Sequence, residues 1–136
     1  MRRDRDALPR RVKVWLVVRI LANFVLVHVT LKRYALPEAV EKLGQMPGRA
    51  RYHVPAKRLG RTITRTLWVG PRKPRCLFSA LVLYRLARAQ GDRAEIVIGL
   101  QPNPGTKDAH AWVEIDGVDV GPPPGRSGHV ELTRYT

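Results

Sequence analysis

Apolar residues dominate the stretch from Trp15 to Leu31, interrupted by Arg19, Asn23, His28 and Thr30. Arg19, Asn23 and Thr30 recur at spacings of four and seven, the period of one helical face. This pattern predicts an amphipathic core helix. A helix lying on a membrane surface is the alternative, and the Val and Ile content leaves a strand open for part of it. Pro37 suits the first turn of a second, short helix, with Glu38 and Glu41 at the positive end of its dipole. Gly44 and Pro47-Gly48 are expected to end it. Leu59, Ile63, Leu67 and Trp68 form a further 3.6-period stripe with Arg58, Arg61 and Arg65 outside it, stopped by Gly70-Pro71.

Pro74 opens the next helix. Leu77, Ala80, Leu81, Tyr84 and Ala87 line one face, Arg85 and Arg88 are expected to face away, and Gly91 fits the residue just past the end. The period then becomes strand-like. Ala94 to Leu100 is a β-rich run, followed by a loop over 101–107. Residues 109–115 and 118–120 read as a hairpin around Asp116-Gly117, a type I′ signal. Gly121-Pro122-Pro123-Pro124-Gly125 breaks the sheet, and Val130 to Tyr135 is expected as a last strand. The fold class is therefore α+β: a helical region over 1–70, then a helix packed on a small antiparallel sheet over 71–136, in one compact domain.

The register of the hairpin sorts its side chains. Ile115 faces Val118, Glu114 faces Asp119, and Val113 faces Val120. One face is then Ala111, Val113, Ile115, Val118 and Val120; the other holds His110, Trp112, Glu114 and Asp119.

The chain has 136 residues and a net charge of +14. That charge predicts an acidic partner. The basic residues are dispersed, however, and no aromatic residues alternate with them as an RNA-binding sheet requires, so no nucleic acid is expected. A single cysteine excludes an internal disulfide. Four scattered histidines give no metal-ligand spacing, and the glycines follow no phosphate-loop pattern, so neither metal nor cofactor is expected. The basic start before an apolar run is similar to an export signal. Arg19 interrupts that run and no small-residue cleavage site follows, so a cytoplasmic protein, with membrane association through residues 1–31 left open, is expected.

The lone cysteine carries the candidate chemistry. Cys76 falls in the first turn of its helix, where free backbone N–H groups favour the thiolate, aided by Lys73 and Arg75. His110 is the candidate general base and acid. A third group would orient the imidazole. Asp119 shares its face but lies opposite Glu114, four residues away, roughly 13 Å at strand rise. Asp108, two residues before His110, is roughly 7 Å along the same face. In this register Pro123 lies opposite His110.

Cys-Leu-x-x-Ala-Leu-x-Leu-Tyr-x-Leu at 76–86, Gly91, Ile98-Gly99-Leu100, and Ala109-His110-Ala111-Trp112-Val113-Glu114 with Asp116-Gly117 resemble the lasso-peptide maturation proteases. These are transglutaminase-like cysteine peptidases. The likeness is strongest over 74–120 and looser in the amino-terminal half. It implies a transglutaminase-like, papain-like core and a leader peptidase acting on a ribosomally made precursor. It also implies Cys76 as nucleophile and His110 as base. The family's acid, on the strand after the hairpin, generally falls further along than Asp119, where this chain has Gly121-Pro122-Pro123. The implied partners are the precursor leader, a separate leader-recognition protein and a macrolactam-forming cyclase. A degenerate scaffold of the same fold and a basic binding protein are the alternative readings.

Overall fold

The computed structural model describes residues 9–45, 54–67, 76–100, 109–122 and 130–135, with the side chains of Cys76, Leu100 and Ala109 outside the described set. Four helices precede a four-stranded antiparallel sheet: α1 (Arg10–Arg33), α2 (Leu36–Gln45), α3 (Ala56–Leu67) and α4 (Cys76–Ala89), then β1 (Ala94–Leu100), β2 (Ala109–Ile115), β3 (Val118–Gly121) and β4 (Val130–Tyr135). The strand order is β3-β2-β1-β4. This is the α+β arrangement that the change of period at Gly91 predicts. Pro74, Trp68 and Gly70-Pro71 lie outside the described residues.

α4 is the central helix. It packs on β1 and β2, and α1, α2 and α3 each pack on it in turn. Every residue from Ser79 to Ala87 is therefore buried. One continuous core joins Leu16, Ile20 and Val27 of α1, Leu43 of α2, Ile63 of α3, Leu81 and Leu83 of α4, and Ile96, Ala111 and Val113 of the sheet. Arg88 is half-buried, but Arg85 does not face away into solvent: it is 7% exposed. The reason is the layering. A helix covered by a sheet and three helices has no solvated face, and a long aliphatic stem can lie along its neighbours. Burial first, and then the charge of Arg19, lowers the Arg85 pKa.

Helix ends follow local chemistry. Beyond α4, the Asp92 N–H donates to the Ala87 carbonyl and the Gly91 N–H to that of Arg88, with Gly91 at φ 97°. This is the paired 6→1 and 5→2 closure that glycine at the C′ position permits. Gly44, expected to end α2, lies inside it. There it serves close approach, because a β-carbon at Gly44 would stand 2.5 Å from the Tyr84 hydroxyl of α4.

α1 departs furthest from its expected polarity. Asn23 and Thr30 are buried, and their side chains donate to the carbonyls of Arg19 and Leu26, one turn back, at 2.7 Å each. Self-satisfied in this way, they can turn inward at little cost. Val14, Val17, Val18, Leu21, Val25 and Val29 turn outward instead. Among the described residues α1 is the one helix long and apolar enough to cross a membrane.

The hairpin turn has the expected type I′ signature, with φ of 53° at Asp116 and 79° at Gly117. Ile115 pairs with Val118 and Glu114 with Asp119, as the alternation predicts. The next pair is Val113 with Gly121, not Val120, because a bulge inserts one residue into β3. β3 ends at Gly121, and Pro123 lies outside the described residues.

Candidate functional site

Cys76 is the first residue of α4. The first turn of a helix leaves N–H groups without intrahelical partners, and their partial charge favours an anion there. Arg75 and Lys73 lie outside the described residues, as does Asp108.

His110 is the second residue of β2 and is half-buried. α4 and β1 are joined by a tight turn at 90–93, and both elements are about 20 Å long. β1 thus runs back along α4 toward its first turn. Gly99, near the end of β1, is the register partner of His110. The backbone positions of Cys76 and His110 are accordingly at the same end of the α4–sheet layer.

The alternation of β2 places His110, Trp112 and Glu114 on the face opposite Ala111 and Val113. β1 supplies Gly99, Val97 and Glu95 beside them. A β-carbon at Gly99 would lie 2.8 Å from Cη2 of Trp112 and 2.5 Å from the Val130 carbonyl oxygen. The missing side chain leaves the space that the indole fills. Trp112 is fully buried, and its ring stacks on the imidazole of His110 with centroids 6.2 Å apart and planes inclined by 28°.

The indole is anchored from its far side. Trp112 Nε1–H donates to Glu114 Oε2 at 2.8 Å, and Arg134 Nη2 of β4 donates to Glu114 Oε1 at 3.0 Å. Arg134 also binds Glu131 at 2.7 Å and approaches Glu95 at 3.6 Å. Glu95 and Glu114 are direct register partners, a like-charge pair that would be unfavourable alone. Arg134 stands opposite Val97 and neutralises both. The hydrogen bonds to Glu131 and then Glu114 raise its pKa well above the ordinary guanidinium value.

Glu95, Glu131 and Arg134 do not figure among the residues singled out from the sequence. Alternation in β1 could have placed Glu95 on this face. Arg134 could not be found that way, because nothing local shows that β4 pairs with β1.

Asp119 lies opposite Glu114, as expected, and its Oδ1 accepts the Gly121 N–H at 2.9 Å across the bulge. His28 belongs to a three-ring cluster on the helical side, stacked on Phe24 at 6.4 Å and tilted against Phe78 at 5.6 Å, with the two Phe rings 5.8 Å apart. His53 and His129 lie outside the described residues. No group of three His, Cys, Asp or Glu suited to a metal occurs among the described residues.

A family model described as the transglutaminase-like superfamily matches residues 16–133. No curated protein and no solved structure gives a significant match.

Proposed function

Because the chain belongs to the transglutaminase-like superfamily, we propose that it is a cysteine peptidase that cuts the leader from a ribosomally made lasso-peptide precursor. The observation that carries this reading is Cys76 as the first residue of α4, with His110 on β2, a strand that packs on that helix. The sequence around both residues, Cys76-Leu77 and Ala109-His110-Ala111-Trp112-Val113-Glu114, supports the finer assignment to the leader peptidases.

In this reading His110 takes the Cys76 proton, and the thiolate attacks the scissile carbonyl carbon. The C–N bond breaks, the amine leaves with the proton held by His110, and an acyl-thioester remains. Water, deprotonated by His110, then hydrolyses the thioester and restores the thiol. Free N–H groups at the start of α4 favour the thiolate before attack and the oxyanion after it. Asp119, four residues along from His110's register position and engaged by Gly121, is a poor orienting acid. The stacked, anchored Trp112 holds one side of the imidazole instead. A separate leader-recognition protein presents the leader, and a cyclase takes the freed core peptide.

The test is cleavage of precursor by the purified protein with its leader-recognition partner, followed by intact mass. Leader release by the native chain and its loss in Cys76→Ala and His110→Ala are expected. Equal release by Cys76→Ala would overturn the reading.

The engagement of Asp119 at the bulge favours a second reading, a transglutaminase-like scaffold that has lost catalysis. It predicts that Cys76 does not react with iodoacetamide below about pH 7, where an activated thiolate does.

A further inference from the structure

We propose that α1 is an in-plane membrane anchor that seats the domain on an anionic lipid surface. This inference does not rest on the peptidase reading. Val14, Val18, Leu21, Val25 and Val29 recur at spacings of three and four, so they form one straight stripe, about 22 Å long. All five are exposed, and Val18 and Val25 are each 60% exposed. Val17 and Ala22 flank the stripe. An unbroken run of this kind on a monomer surface marks a place where something apolar is met.

The chemistry of that partner is read from the ends. Arg10 and Arg11, one turn before Val14, and Lys32, one turn after Val29, continue the same face, and all three are exposed. Lys13 and Arg33 sit beside them. α1 contains no acidic residue. An apolar centre closed by cations at both ends matches acyl chains below and anionic headgroups around, with the long basic side chains reaching up to the phosphates. Trp15, with Arg19 stacked over it at 5.5 Å, borders the stripe, where an amphipathic ring suits the interface. The net charge of +14 adds long-range attraction to such a surface.

The same helix cannot span the bilayer in this fold. Leu16, Ile20, Asn23 and Val27 are buried against the rest of the domain, chiefly on α4, which itself lies on the sheet. Only one side of the cylinder is free for lipid, so the axis lies in the membrane plane.

Sedimentation of the full chain with large vesicles tests this. Vesicles of phosphatidylglycerol mixed with phosphatidylcholine are expected to bind the protein; phosphatidylcholine alone is expected to bind it far less. Val18→Glu with Val25→Glu should weaken binding roughly tenfold or more while leaving the circular-dichroism spectrum and melting temperature unchanged, since both positions are exposed. Arg11→Glu with Lys32→Glu should weaken it and flatten its salt dependence. Failure to bind the anionic vesicles overturns the proposal. So does binding that the double valine variant leaves intact, which would be charge attraction alone. A dimer in solution that the valine variant dissociates would assign the stripe to a second copy and overturn it as well.

Discussion

The indole N–H of Trp112 donates to the carboxylate of Glu114 at 2.8 Å, two residues along one strand, with both side chains buried. The pair links the centre of the sheet to the histidine, because the other side of the same indole stacks on His110. Arg134 completes it from β4, the edge strand on the far side of β1. Removing the carboxylate therefore strands a buried N–H and frees a cation at one step.

Glu114→Ala is expected to cost about 3 kcal/mol, the lower end for breaking a buried pair, since Arg134 is partly exposed and can find water. Glu114→Gln keeps an oxygen for the indole but turns an amide NH2 toward Arg134, losing the charge and that bond, so about 2 kcal/mol is expected. Urea denaturation at neutral pH checks both, and equal losses in the two variants would contradict the role of the indole bond.

Gly99→Ala puts a methyl group 2.8 Å from the Trp112 ring and 2.5 Å from a backbone oxygen of β4. The indole cannot swing away, being fully buried and held by Glu114. Overpacking of this kind is expected to cost about 1–3 kcal/mol. The expected signature is a lower melting temperature with an altered Trp fluorescence spectrum; an unchanged melting temperature would show that the sheet edge yields.

Gly44→Ala meets the Tyr84 hydroxyl at 2.5 Å, and Tyr84 is fully buried. The hydroxyl oxygen has no hydrogen-bond partner among the described residues. Tyr84→Phe alone is thus expected to be near neutral, within about 1 kcal/mol. Combined with Gly44→Ala it should recover much of the loss, a coupling that a double-mutant cycle measures. Simple additivity would refute the contact.

Gln90 pairs with the backbone of Val54 on both sides. Val54 N–H donates to Gln90 Oε1 at 3.1 Å, and Gln90 Nε2 donates to the Val54 carbonyl at 2.7 Å and to Asp92 at 2.7 Å. Gln90→Ala leaves the buried Val54 without these partners, at an expected cost of about 2 kcal/mol. Faster hydrogen exchange at the Val54 amide is the direct readout.

Parts of the candidate site were legible early. The period change at Gly91, the Asp116-Gly117 turn and the alternation of β2 put His110, Trp112 and Glu114 on one face, and the structure agrees. The first-turn position of Cys76 was legible too, from helix stop and start residues around it. The bulge in β3 was not: it lies on the strand that α3 packs against, and it moves the partner of Val113 to Gly121. Gly60 of that helix has only 3.0 Å between its would-be β-carbon and the Val120 carbonyl. Such an approach has no local sequence pattern.

Sequence alone determined what short-range physics governs: that α4 is helical, starts near Cys76 and closes at Gly91, and that residues 109–115 and 118–120 form a hairpin. Backbone propensity, capping and turn conformation act within a few residues, so the local string carries them. Tertiary structure alone decided which surfaces meet. It turned Asn23 and Thr30 inward and the valines of α1 outward, buried Arg85, and placed β4 beside β1 so that Arg134 reaches Glu114. Each of those outcomes is set by the shape of a distant neighbour, and a polar side chain satisfied within its own helix carries no signal of the side to which it will turn.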